Sequence, residues 1–245
     1  MPDSNSSIHL QLQSYSQPGL YLKFKDGTQL SLTPEHIQRI TADYWTDPEK
    51  IAPDIKKAVD FQRCTICPMR GKTDLCDALR PILPLLPVVD HYNSFDSVLA
   101  VYKGTDNELY HVSDTTLQRA LRHISNLSLM SYCRIGKQYR KYFAGIIPVL
   151  TTEENANRLF LNIYWFHEGD AHIIDSVISR LHKDITMTTR NQLQRLRLIC
   201  KNDVFLNAFI LTHLLTDELY DTRDKKLKMQ MDALQHDPSS RTLPP

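Results

Sequence analysis

A chain of 245 residues with 29 Lys+Arg against 28 Asp+Glu carries a formal charge of +1, which excludes a uniformly basic nucleic-acid binder. Its 42% apolar and 23% charged residues are those of an ordinary folded protein and exclude wholesale disorder. The length suits one large or two small domains with a real core.

The first 13 residues, MPDSNSSIHLQLQ, lack the basic and continuous apolar regions of a signal peptide. Ile8, Leu10 and Leu12 alternate with polar residues as in a strand. Residues 20–24 and 29–32 flank Asp26-Gly27, the strongest short signal for a β-hairpin. Thr33-Pro34-Glu35 reads as a helix start, with threonine as cap and proline in the first turn. Asp47-Pro48-Glu49 repeats that signal ahead of a helix to about Phe61. A cysteine-bearing segment follows, with Thr73 placed to cap a short helix through Cys76 to Leu79 that Pro81 and Pro84 stop or kink. A second hairpin is expected from residues 97–103 and 108–113 about the turn 104–107.

The rest reads as helices. Leu117 to Met130 keep helical spacing behind a cap at Ser113 or Asp114. Thr152 caps a second helix that Gly169 ends, and Ile173 to Ile185 form a third. Leu193 to Leu215 read as one long final helix with Cys200 inside its apolar stripe. Residues from about 221 read as a frayed helix and a disordered tail. The expected fold is α+β: N-terminal β-hairpins forming a small antiparallel sheet, then a mainly helical C-terminal half. The expected divisions are a hairpin segment at 1–62, a cysteine-containing α+β core with its helices at 63–220, and a flexible tail at 221–245.

No run reaches the ~18 apolar residues of a spanning helix, since prolines break residues 81–89 and Asn207 and His213 interrupt 204–216. A cytoplasmic location without membrane contact is therefore expected. In that reducing compartment, clustered cysteines mean metal or redox chemistry more often than disulfides. Cys64 and Cys67 form a Cys-x-x-Cys pair, Cys76 lies nine residues on, and Cys133 stands at a helix boundary. Thiolates three apart in a tight turn can face one cation. Four thiolates suit tetrahedral zinc or a [4Fe–4S] cluster equally on ligand chemistry. Reversible Cys64–Cys67 redox chemistry and unrelated buried cysteines are the alternatives. Cys200 reads as a small buried hydrophobe.

The stretches DFQRCTICP, LCDAL, SFDSVLAVYKGTDNELYHVSDTTLQRAL, SLMSYC and IIPVLTTEENANR resemble an uncharacterised bacterial family, a domain of unknown function with a Cys-x-x-Cys-Pro motif and two further cysteines. The resemblance implies that Cys64, Cys67, Cys76 and Cys133 belong together, and it pairs Glu154 with Arg158; it implies no activity. This chain departs from the pattern at Asp77 and Arg134, where the family has proline, and at Ile146-Ile147-Pro148, where it has histidine before Leu-Pro.

Charge is uneven along the chain. Residues 119–201 hold 13 Lys+Arg against 6 Asp+Glu, a net of +7. Arg134, Lys137, Arg140 and Lys141 alternate there with Tyr139 and Tyr142, a composition suited to an anionic ligand or a protein partner, or to a phosphate backbone with ring stacking. On the residues alone, Glu154 and Arg158 read as an ordinary helix ion pair. His167-Glu168 and His172 are not a zinc-protease motif, because the histidines are five apart and Gly169 interrupts the helix. His111, His123 and His213 read as core or boundary histidines. No glycine-rich phosphate loop and no Ser/His/Asp pattern is present, so whether the chain is an enzyme stays open.

Overall fold

The computed structural model describes residues 15–47, 51–61, 63–72, 76–105 and 110–236. The strand read at Ile8–Leu12, the signal at Pro48-Glu49, the Thr73 cap, Asp106-Asn107 and Glu108 lie outside the described residues.

β1 (Gly19–Phe24) and β2 (Gln29–Leu32) form the first hairpin. Gly27 takes φ +89, and the amide of Thr28 donates to Asp26 Oδ1 at 2.9 Å, so both residues of the Asp-Gly signal are used. β3 (Ser97–Lys103) and β4 (Tyr110–Thr116) form the second. β1 also pairs antiparallel with β3, so the hairpins merge into one sheet of order β2-β1-β3-β4. The register puts Leu22 opposite both Leu30 and Ala100, and Phe24 opposite Val98; all are buried on one face.

Among the described residues, seven α-helices accompany the sheet: α1 (Pro34–Trp45), α2 (Pro53–Asp60), α3 (Leu86–Val89), α4 (Leu117–Leu127), α5 (Thr152–Phe166), α6 (Ala171–Ile199) and α7 (Val204–His236). α1 starts as read, with Thr33 Oγ1 accepting from the amide of His36. Three other starts differ from the sequence reading. α2 begins at Pro53, whose own fixed φ opens the helix. α4 is capped by Thr116, because β4 runs three residues past Ser113. α5 is capped by Thr151, in a reciprocal capping box with Glu154. The latter commits Glu154 to the helix start.

The larger correction concerns the last two helices. α6 continues through the polar stretch 186–192 as a single helix of 29 residues. The chain then breaks at 200–203, where a continuous helix was expected. Asn202 donates to the carbonyls of Asp90 and Tyr92, and Asp203 accepts from the amide and hydroxyl of Ser94. These contacts dock the break on the loop before β3 and turn α7 back along α6. Cys200 is the C-terminal cap of α6, half-buried, and burial pushes its thiol up to about 12. α7 then runs past Asp221 to His236.

α7 is the central helix, packed against α4, α5 and α6, while α4 packs on the sheet. Buried Ser125 and Thr212 share a hydrogen bond across the α4–α7 contact. Arg122, 1% exposed, donates to the carbonyls of Pro148 and Leu150 and ties α4 to the segment before α5. Among the described residues no helix is long and apolar enough to cross a membrane.

His123 joins α4 to the sheet through the Leu32 carbonyl, 3.2 Å from Nε2. Burial holds its imidazole at about 4, against an ordinary value of 6.5. The unfolded chain therefore binds the proton first as pH falls. Stability is intact above pH ~6.5 and declines toward pH ~4, by at most about 3 kcal/mol from this group. Urea midpoints at pH 7 and pH 4.5 should differ less in His123→Gln than in the wild type; an unchanged difference rules out this assignment.

Candidate functional site: the four-cysteine cavity

The cysteine segment folds as consecutive tight turns. The amide of Cys67 donates to Cys64 O at 3.1 Å, and the amide of Arg70 donates to Cys67 O at 3.1 Å. Arg63 braces them, pairing with Asp60 at 2.8 Å and donating to Met69 O at 3.1 Å. Cys76 is extended and immediately precedes a 3-10 turn, Asp77–Leu79, so among the described residues the short helix read there is that turn alone. A three-residue turn has little macrodipole, and the expected help from a helix N-terminus to the Cys76 thiolate falls away.

Cys133 arrives from the other side. α4 ends in a single π-type turn, Ser128–Tyr132, closed by the Cys133 amide on Ser128 O at 2.9 Å. Ser128 Oγ donates to Ala78 O. Asp77 accepts from Arg80 at 3.0 Å and from Arg134 at 3.4 Å. Those contacts clamp the Cys76 turn to the Cys133 turn. The result is that Cys64, Cys67, Cys76 and Cys133, from three separate turns, all line one small, partly enclosed cavity. All five cysteines of the chain are free thiols.

α6 forms the remaining wall. Arg195 Nη1 donates to Cys76 Sγ at 3.3 Å, and its Nε donates to Phe61 O at 2.5 Å. Gln192 Nε2 donates to Cys76 Sγ at 3.5 Å, while its buried Oε1 takes no hydrogen bond. Burial raises the Cys64 thiol, opposed by hydrogen bonds from Asn191 and Arg195. Burial also pushes the Cys133 thiol up to about 12, opposed by the backbone N–H groups of Gly136 and Ile135. The sulfurs thus share one low-dielectric pocket in which most fixed dipoles are donors. Donors aimed at sulfur favour anionic over neutral sulfur.

Asn191, Gln192 and Arg195 were not singled out in the sequence. Their signal was available: Thr188, Gln192 and Arg195 at i, i+4 and i+7 give α6 a polar stripe that is buried. Among the described residues, no three His, Cys, Asp or Glu side chains are gathered so as to hold a metal ion.

The basic segment behaves differently from its sequence reading. Residues Gly136–Phe143 form a 3-10 helix that buries both tyrosines. Tyr139 donates to Asp184 at 2.7 Å, and the Tyr142 hydroxyl lies 2.7 Å from His167 Nε2. Neither ring is available for stacking on a base. Arg134, Lys137, Arg140 and Lys141 remain exposed, but Arg134 is paired with Asp77, and Lys141 lies over the rings of Tyr142 and Phe166.

No curated protein and no solved structure matches the chain. The resemblance to an uncharacterised domain family agrees with one finding, a family model that matches residues 21–235. By that match over nearly its whole length, the chain belongs to the family described as Domain of unknown function (DUF6901).

Proposed function

We propose that Cys64, Cys67, Cys76 and Cys133 bind a [4Fe–4S] cluster, which fastens three turns together in a structural or regulatory role. The observation that carries this reading is the convergence of four free thiols from distant turns on one cavity. Zinc is the less favoured occupant. Four sulfurs about 2.3 Å from one ion form a tight set, and no three donors among the described residues are gathered that way. A cubane holds its ligands farther apart around a larger group. The Arg195 guanidinium, the Gln192 amide and the two N–H groups at Cys133 supply the donors that an anionic cluster and its thiolates require.

Two of the thiols are raised by burial, so loading the site must displace their protons. Loading is therefore favoured by rising pH, and its free energy adds to folding. The test is iron and acid-labile sulfide in anaerobically purified protein, together with its visible spectrum. About four of each per chain and a broad visible absorption are expected. Stoichiometric zinc without sulfide replaces the cluster by a single ion. A colourless protein with neither metal overturns the reading.

A further inference from the structure

An open groove of about 540 Å³ runs between α6 and the Cys64–Cys67 turn. One wall is Thr65, whose hydroxyl lies 3.8 Å from Met187 Sδ. The other is the outer side of α6, with Lys183, Thr186, Arg190, Asn191 and Gln194. Among the described residues no carboxylate lines it. Lys183 and Arg190 are seven residues apart, two helical turns, and so project from the same side. Both are exposed, and neither has an ion-pair partner among the described residues. Thr186 Oγ1 and Gln194 Oε1 are buried without hydrogen bonds. At one end His182 is already bonded to Asp217 at 2.8 Å, so the uncompensated charge is that of Lys183 and Arg190.

The groove and the cysteine cavity share a wall. Thr65 sits between Cys64 and Cys67, and Asn191 lines the groove while hydrogen-bonding Cys64. We propose that the groove docks an acidic segment of a protein partner and that loading of the cysteine site makes it competent to do so. The second half rests on the cluster reading above.

Charge complementarity selects the occupant: two exposed cations and, among the described residues, no lining carboxylate suit Asp and Glu side chains. Among the described residues no Phe, Tyr or Trp lines the groove, and the His182 ring is already stacked on Tyr220, so it offers no free platform for nucleic-acid bases. From His182 to Gln194 the helix extends about 18 Å, which five or six extended residues match. Loading fixes Cys64 and Cys67 against Cys76 and Cys133, and that fixes Thr65 as a wall. By linkage, the docked segment stabilises the loaded form to the same extent.

The test is fluorescence anisotropy of labelled hexaglutamate with three proteins: wild type as purified, wild type stripped by chelator, and Lys183→Glu with Arg190→Glu as purified. Iron is measured in each. The wild type is expected to bind, more weakly as salt rises. Stripping should weaken binding about tenfold, and charge reversal should abolish it. Unchanged binding after charge reversal overturns the groove. Equal affinity before and after stripping of an iron-containing sample overturns the coupling. Preference for hexathymidylate over hexaglutamate overturns the acidic polypeptide as occupant. A wild type purified without iron defeats the cluster reading instead, and the charge-reversal arm still decides the groove.

Discussion

Arg195→Leu is expected to lower the melting temperature by roughly 6–15 °C, through a loss of about 3–4 kcal/mol. The guanidinium is 1% exposed and makes two kinds of contact. Its Nε satisfies the Phe61 carbonyl just after α2, and its Nη1 reaches Cys76 Sγ. Leucine keeps most of the volume but strands the carbonyl, which costs about 1–3 kcal/mol. The charge-assisted bonds to sulfur are lost as well, and the shorter side chain leaves unfilled space. Arg195→Lys keeps the charge without the planar fork and should fall between leucine and the wild type. In the loaded protein the leucine variant should also have a more negative reduction potential, because a nearby cation favours the more negatively charged reduced cluster. Thermal denaturation followed by circular dichroism, with a spectroelectrochemical titration, reads both effects. A leucine variant that melts with the wild type excludes the two-contact account.

The sheet was legible because its signals are local. Asp26-Gly27 between two extended runs specifies the hairpin, and the observed register pairs Leu20 with Leu32 and Leu22 with Leu30, all buried. Pairing of β1 with β3 is a contact between segments more than 70 residues apart, and no local pattern encodes it. The helix count failed for a physical reason. The apolar stripe from Leu193 to Leu215 runs without interruption across a break made by Asn202 and Asp203 bonding to residues 90–94. The opposite error split α6, because Thr186 to Gln192 look like a polar linker. Thr188, Thr189 and Gln192 are fully buried there, and the Thr188 hydroxyl bonds back to the carbonyls of Asp184 and Ile185 on its own helix.

The site was legible in composition and not in setting. The spacing Cys64-x-x-Cys67 singled out the pair, and four free thiols do line one cavity. Nothing in that spacing announced that the facing wall would be Gln192 and Arg195, more than a hundred residues away. The basic segment shows the converse. Arg134 to Tyr142 alternate cation and ring in sequence, but a 3-10 turn repeats every three residues. Tyr139 and Tyr142 therefore fall on one buried side, and the cations stay outside.

Gly136→Ala should cost about 3 kcal/mol and release the proposed cluster, although alanine is the smallest side chain that can be added. A Cβ on Gly136 would sit 2.1 Å from the Leu129 carbonyl oxygen and 2.8 Å from its carbon. Both atoms are backbone within the π-type turn, so no rotamer change relieves the clash. Either that turn or residues 133–136 must move, and both position Cys133. The amide of Gly136 is also one of the two N–H groups directed at the Cys133 sulfur. Gly145→Ala is the matched control. It has φ +72 with nothing within 4 Å of the added carbon, so its cost is conformational only, about 1 kcal/mol. Urea denaturation should separate the two variants by roughly 2 kcal/mol. Iron per chain should drop below about half in Gly136→Ala and stay at the wild-type value in Gly145→Ala. Equal iron in the two variants, with the stability difference preserved, would separate the packing of residues 128–136 from the cysteine site and remove Cys133 from the ligand set.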